Sequence, residues 1–262
     1  MVTGQREQRL VFGEVADPYD HYRPGYPAAV FQRLVAYGSL RPGDRALEVG
    51  CGTGRATLLL AALNLQLTAL EPSPEMAAVA RRRTQSLTGV EVVEAAFEDW
   101  RLPTEPFRLV ASTQAWHWVS PAVRLRKAHR ALAPGGTLAL FWNTPGPSEE
   151  GREIEAELDA LYQSQAPAIA GSLRREVRAG ERRLEIADSG LFGAVVAETF
   201  PWATTYSTEQ YVNLLRTQSD HRLLASRERE RLLRGVARVL DQHGGAYRQH
   251  YTTDLYLAGR PA

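Results

Sequence analysis

The sequence predicts an α/β protein with a doubly wound, mostly parallel sheet and helices on both faces. Three observations carry that reading. Short apolar runs alternate with amphipathic ones from residue 46 onward, as repeated strand–helix units require. The first apolar run ends in Gly50-Cys51-Gly52-Thr53-Gly54 and passes directly into a helical pattern. The chain closes on residues 247–257, which alternate like an antiparallel strand after Gly244-Gly245. With 44% hydrophobic residues among 262, the chain has ample material for one large core.

The elements follow in order. Residues 27–38 place apolar side chains at helical spacing and end in Gly38, a residue suited to a helix terminus. Strand one is 46–49, followed by a helix over 55–63, strand two over 65–70, and a helix over 74–85 with Ser73 as N-cap and Pro74 in its first turn. Strand three is 90–95, strand four 109–112, a helix spans 121–132, and strand five is 137–142 after the turn Pro134-Gly135-Gly136. Beyond Asn143 comes a Pro/Gly/Ser loop, a charged helix over 149–165, and a basic run over 174–183 with little periodicity. Residues 145–190 are therefore expected to form a helical cap over the sheet edge, within a single domain spanning 1–262 whose first 38 residues form a lid and helix. A strand over 195–206, helices over 208–216 and 223–242, and the closing strand complete seven strands.

Composition excludes several classes. A formal net charge of +1, with both signs spread along the chain, offers no basic stripe for gripping nucleic acid. One cysteine, Cys51, allows neither an internal disulfide nor a cysteine zinc site, and the six histidines show no metal-ligand spacing, so no metal is expected. No apolar run approaches the ~20 residues of a membrane span, and residues 1–10 lack a hydrophobic signal core. A cytoplasmic protein without a membrane partner is the expectation. Neither a Gly-x-Ser-x-Gly elbow nor a phosphate-binding Walker loop is present, which removes the starting residues of many hydrolases and phosphoryl transferases.

The glycine turn suits a nucleotide-like ligand, because a backbone without Cβ atoms lets a ligand lie against the main chain. The dinucleotide fingerprint needs a third glycine three residues after the second, and that position is Arg55. Tyr-x-x-x-Lys is also missing, so a nicotinamide-dependent oxidoreductase is disfavoured. Glu71, 21 positions after Gly50 at the end of strand two, can accept both hydroxyls of a ribose. Pro72 and Met76 follow it, and Met76 either packs on an adenine face or simply on the sheet.

Alternate glycines preceded by the acidic Glu48 resemble the first motif of the class I S-adenosylmethionine-dependent methyltransferases. Residues 95–100 (AAFEDW), 112–119 (STQAWHWV), 132–137 (LAPGGT) and 19–27 (YDHYRPGYP) extend that resemblance, which covers about residues 10–143, to the type 11 small-molecule group. It implies a Rossmann-like class I methyltransferase fold, S-adenosyl-L-methionine as cofactor and a small-molecule acceptor. It also implies cofactor contacts from Gly50, Cys51, Gly52, Gly54 and the residues after strand three. There Ala96 stands where the family usually has an acid; Phe97 supplies a backbone contact and apolar packing, and Glu98 or Asp99 is the replacement carboxylate. Gln114 and His117 fall at the methyl-donor end. Arg23 and Tyr22 offer a cation for the methionine carboxylate and an aromatic face for the sulfonium. If the acceptor needs a general base, His117 is the best placed imidazole and His21 a weaker one; otherwise His117 is a packed histidine between two tryptophans. Trp142, Trp202, Tyr206 and Tyr211 read either as an aromatic acceptor pocket or, better, as core. A non-catalytic binder of S-adenosylmethionine or S-adenosylhomocysteine is the alternative to an enzyme.

Overall fold

The computed structural model describes residues 21–170 and 179–262. Its elements are α1 (Ala28–Gly38), β1 (Arg45–Val49), α2 (Arg55–Ala61), β2 (Gln66–Glu71), α3 (Pro74–Thr84), β3 (Val90–Glu94), β4 (Phe107–Thr113), α4 (Arg124–Ala131) and β5 (Leu132–Gly146). They continue with α5 (Arg152–Gln165), α6 (Ala179–Asp188), β6 (Val196–Ser207), α7 (Thr208–Arg216), α8 (Ser219–Leu223), α9 (Ser226–Gln242) and β7 (Ala246–Gly259). The seven strands form one sheet in the order β3-β2-β1-β4-β5-β7-β6. β7 runs antiparallel between β5 and β6, and the other neighbouring pairs are parallel. The expected fold class is therefore observed, with seven strands and an antiparallel last one.

Strand periodicity explains how the sheet is covered. Because successive side chains face opposite sides, Leu109, Ala111, Ala139 and Phe141 pack with Val30, Phe31 and Leu34 of α1 and Ala56 and Leu60 of α2. Val110, Leu138, Leu140 and Trp142 turn the other way, onto Leu125 and Ala128 of α4 and Ile186 of α6. Both sheet faces are thus apolar, as buried parallel strands require. A third cluster joins Leu158 and Tyr162 of α5 to Tyr211 and Leu214 of α7, Leu232, Leu233 and Val236 of α9, and Tyr206, Tyr247 and Tyr251 at the far ends of β6 and β7.

Local differences from the sequence reading have local causes. Gly38 is the last helical residue of α1, not its cap: Ser39 takes the left-handed conformation (φ 47°) and donates its N–H back towards Val35. Gly38 is small for a different reason, since a Cβ there would lie 3.1 Å from Leu40 and 3.2 Å from Thr137. The Pro134-Gly135-Gly136 turn does not precede β5 but bulges within it, the pairing jumping from Phe107–Leu132 to Leu109–Thr137. The helix expected over 121–132 begins only at Arg124. The segment 223–242 divides into α8 and α9, broken at Leu224 and Ala225, which both adopt extended backbone. The last part of the supposedly aperiodic basic run is helical, in α6. Residues 1–20 and 171–178, including Tyr19, Asp20 and the start of that run, lie outside the described residues.

Candidate active site

In this strand order the chain leaves β1 towards β2 on one side and returns to β4 on the other, and such a switch point opens a crevice beyond the strands' carboxyl ends. A cleft of about 240 Å³ lies there. Its floor is the β1–α2 turn. Gly50, Gly52 and Gly54 have φ of 74°, 59° and 85°, values that favour glycine. Gly50 is doubly constrained, since a Cβ would sit 2.4 Å from the Cβ of Ala115. Gly52 faces the cleft, and the nearest atom to a Cβ built on it is the Met76 methyl, 3.6 Å away.

Glu71 ends β2 beside this turn. Its Oε2 accepts the Gly52 N–H at 2.9 Å and its Oε1 accepts the Ser73 N–H at 2.9 Å. The carboxylate is thereby fixed in orientation while still lining the cleft. The Ser73 hydroxyl accepts the Met76 N–H at 3.4 Å, so the expected N-cap of α3 is in place. Pro72, Met76, Phe97 and Glu98 continue the wall. Phe97 is buried against Trp116, with ring centres 6.3 Å apart. Glu98 accepts the Ser120 N–H at 3.1 Å, which ties the loop after β3 to the loop after β4.

The opposite wall comes from β4, β5 and the N-terminal segment. Gln114 holds a left-handed backbone (φ 57°), unusual for a side chain of its size. Its amide Nε2 donates to the Asn143 carbonyl at 3.1 Å. Asn143 also accepts at Oδ1 from the Thr253 hydroxyl (2.6 Å), which accepts from Trp202 Nε1 (2.9 Å). Asn143 Nδ2 donates to the Gly25 carbonyl at 2.8 Å, strapping the N-terminal segment across the strand ends. Arg23, Pro24 and Tyr26 of that strap line the cleft together with Arg55. Arg23 is anchored on Thr217, donating from Nε to the hydroxyl (3.0 Å) and from Nη2 to the carbonyl (2.9 Å). His117 and Trp118 close this end, and Trp142 Nε1 donates to His117 Nδ1 at 3.5 Å.

Of the residues singled out in the sequence, the structure brings together Arg23, Gly50, Cys51, Gly52, Glu71, Pro72, Met76, Phe97, Glu98, Gln114 and His117. Tyr22, Glu48, Gly54 and Ala96 do not line the cleft. Tyr22 packs on the α5–α7–α9 cluster and edge-on to His21. Gly54 faces Ala80 of α3. Ala96 starts a tight turn, its carbonyl accepting from the N–H groups of Asp99 and Trp100. Glu48 is fully buried, its Oε2 accepting the Thr57 hydroxyl at 2.7 Å. Burial, abetted by Glu71, pushes its carboxyl up to about 7. The Cys51 thiol is likewise held well above its ordinary range by burial and the two carboxylates. Trp142, Tyr206 and Tyr211 are core residues, and Trp202 stacks on Tyr251 at 4.9 Å.

Sequence reasoning missed Thr53, Arg55, Asn143 and Ser219 as cleft residues. Asn143 had a signal, a polar residue ending the apolar run LALFW. Arg55 was weighed only as the missing third glycine.

A methyltransferase-domain family profile matches residues 47–140, the segment that builds the cleft's floor, one wall and the β4 part of the other. An uncharacterised methyltransferase of Mycobacterium tuberculosis is 35% identical over 147 residues, 55% of this chain and 56% of that one. The chain thus aligns with just over half the length of that relative. A malonyl-[acyl-carrier protein] O-methyltransferase of Marinomonas is 30% identical over 183 residues, 69% of this chain and 67% of the relative. Among solved structures, a proposed type II methyltransferase from Anaeromyxobacter dehalogenans superposes with a TM-score of 0.67 at 23% identity, over 92% of this chain and all of that one. The chain belongs to the type 11 family of class I S-adenosylmethionine-dependent methyltransferases.

Proposed function

We propose that the protein transfers a methyl group from S-adenosyl-L-methionine to a small-molecule acceptor. The observation that carries this reading is the convergence on one cleft of a bare glycine turn and an oriented carboxylate, Glu71. The residues present fit the cofactor. The Gly50-Cys51-Gly52 backbone leaves room where a Cβ would intrude, and the cleft residue Thr53 carries a buried hydroxyl with no hydrogen-bond partner among the described residues. Glu71 would take the ribose hydroxyls, and Pro72, Met76 and Phe97 would flank the base. Glu98 is the nearest carboxylate to replace the acid absent at Ala96. Arg23 and Arg55 would meet the methionine carboxylate.

When bound, the cofactor supplies an electrophilic methyl on a sulfonium. The chain's own contribution is to hold the reacting groups at near-attack distance and exclude water, which can supply several kcal/mol of the barrier reduction. The strap held by Asn143 and Arg23 does this from one side and α8, through Ser219, from another. In this reading the described residues between β5, which runs on to Gly146, and residue 190 act as the cap of a single domain. No described helix is long and apolar enough to cross a membrane.

Incubating the protein with methyl-tritiated S-adenosylmethionine and the small-molecule fraction of a cell extract tests the acceptor class. Label should enter a low-mass product, and a Gly52→Arg variant should produce none. Label appearing only in added protein or nucleic acid contradicts the small-molecule reading. Cofactor binding with no transfer to any fraction would favour a regulatory binder.

A further inference from the structure

Away from the cleft, α9 carries a charge pattern that neither its packing nor the methyltransferase reading uses. At about 100° per residue, Arg227, Arg231, Arg234 and Arg238 fall within an arc of about 60° and extend ~16 Å along the helix. All four are exposed, while Leu232, Leu233, Val236 and Leu240 on the opposite side are buried with residues of α5 and α7. None of the four forms a salt bridge among the described residues, although arginines elsewhere do: Arg33 with Glu198, Arg124 with Glu185, Arg216 with Glu230. Arg231 places one N–H on the Gln165 carbonyl at 3.2 Å and meets no carboxylate.

The carboxylates around this stripe are engaged elsewhere or turned from it. Arg216 of α7 holds both oxygens of Glu230, and Asp241 accepts the Thr208 hydroxyl at 2.6 Å. Glu157 of the neighbouring α5 pairs with His243 at 3.0 Å. Glu228 lies about 60° round the helix from the nearest of the four arginines and pairs with none of them. Like charges at this helical spacing repel one another, and a partner's carboxylates would relieve that repulsion.

Leu223, at the end of α8, decides the kind of partner. It is 70% exposed, the most exposed large apolar side chain among the described residues, and the short chain to Arg227 keeps the two Cα atoms within about 14 Å. A phosphate backbone offers nothing to an aliphatic side chain, and α9 holds no aromatic ring on which bases could stack. A membrane surface would need an apolar helix face to insert, and that of α9 is already buried. An acidic protein helix satisfies both features: carboxylates at i and i+4 repeat every ~6 Å, as the arginines do, and an apolar residue beyond them covers Leu223. We propose that α9 and Leu223 form a docking surface for an acidic helix of a partner protein, separate from the cleft and independent of the methyltransferase reading. A partner that covers Leu223 touches α8, the helix that carries the cleft residue Ser219.

NMR titration of the full chain tests this, with an alanine-based helical peptide as the probe. Its glutamates stand at the spacing of the arginines and a leucine lies one turn before them; a control peptide carries the same residues spread round its helix. At low ionic strength the striped peptide should shift the side-chain Nε–H signals of Arg227, Arg231, Arg234 and Arg238 and the methyl signals of Leu223, and bind about fivefold or more tighter than the control. Raising the salt to about 0.3 M should weaken it about tenfold. Arg231→Glu combined with Arg234→Glu should weaken binding about thirtyfold, and the milder Arg231→Gln with Arg234→Gln about tenfold, at an unchanged unfolding midpoint because both sites are exposed. Leu223→Ser should cost about threefold, and Arg126→Glu on the exposed side of α4 should change nothing. Equal affinity for the two peptides, shifts confined to other arginines, or no binding in the millimolar range overturns the proposal. Tighter binding of a single-stranded oligonucleotide, or of phosphatidylserine vesicles, through the same arginines overturns it as well.

Discussion

Glu48 sits without solvent exposure at the end of β1, one carboxylate oxygen on Thr57 and the other, Oε1, buried without a hydrogen-bond partner among the described residues. Its carboxyl titrates near 7 in the folded protein, from an ordinary value of 4.5. Between those values the folded state holds a proton that the unfolded state has released, so this group makes stability fall as pH rises from about 4.5 to 7, by about 3 kcal/mol, and adds no slope above that. Urea unfolding across this window should show the fall, and Glu48→Gln, which cannot titrate, should flatten it. An unchanged slope in the variant would place the proton elsewhere. Gly50 carries a different kind of constraint. Gly50→Ala brings a left-handed penalty of about 1–2 kcal/mol together with the 2.4 Å clash at Ala115. It should lower the unfolding midpoint and abolish cofactor binding, whereas Gly25→Ala, where a Cβ meets nothing within 4 Å, should do neither. The glycine turn and Glu71 were legible because their spacing is set locally, by one strand, one turn and one helix. The burial of Glu48 was not, since it depends on Thr57 from the next helix covering the same sheet face.

The elements that close the cleft are joined by hydrogen bonds between segments distant in the chain. The strap at Gly25 is tied to β5 by Asn143, to β7 by Thr253 and to β6 by Trp202. Thr253→Val keeps the shape but breaks the relay, leaving Asn143 Oδ1 and the indole N–H without this partner. It should cost about 1–3 kcal/mol and loosen the strap, read as faster amide exchange over residues 23–27 with the sheet unchanged. On the other side, the Tyr162 hydroxyl of α5 and His221 Nε2 share a hydrogen bond of 2.5 Å, and His221 Nδ1 is held by Asp220 at 2.8 Å. This buried relay fixes α8, and with it Ser219, under the cap helix. Tyr162→Phe should destabilise the protein by about 1–2 kcal/mol, measured by urea unfolding, and a neutral result would make the relay incidental. Helices and strands with strong periodicity were readable in order. The break between α8 and α9 was not, because Leu224 continues the apolar pattern while its backbone turns away to bury Leu224 and His221.

At the scale of the whole molecule, function follows from strand order. Placing β1 between β2 and β4 opens a crevice, and the described side chains proposed to meet the ligand line it: the turn after β1, Glu71 after β2, Phe97 and Glu98 after β3, Gln114 and His117 after β4, and Asn143 in β5. The alternation of elements announced such a crevice in the sequence, but which distant segments reach it depends on α5, α7 and α9 packing together on β6 and β7, and no local pattern encodes that. The central claim is that this crevice binds S-adenosylmethionine through the glycine turn and Glu71. Calorimetric titration with S-adenosylmethionine, S-adenosylhomocysteine and NADH, on the wild type and on folded Gly52→Arg and Glu71→Ala variants, tests it most directly. The account predicts micromolar binding of the first two ligands by the wild type, lost in both variants, and none of NADH. Absence of binding by well-folded wild-type protein, or a preference for NADH, would contradict it.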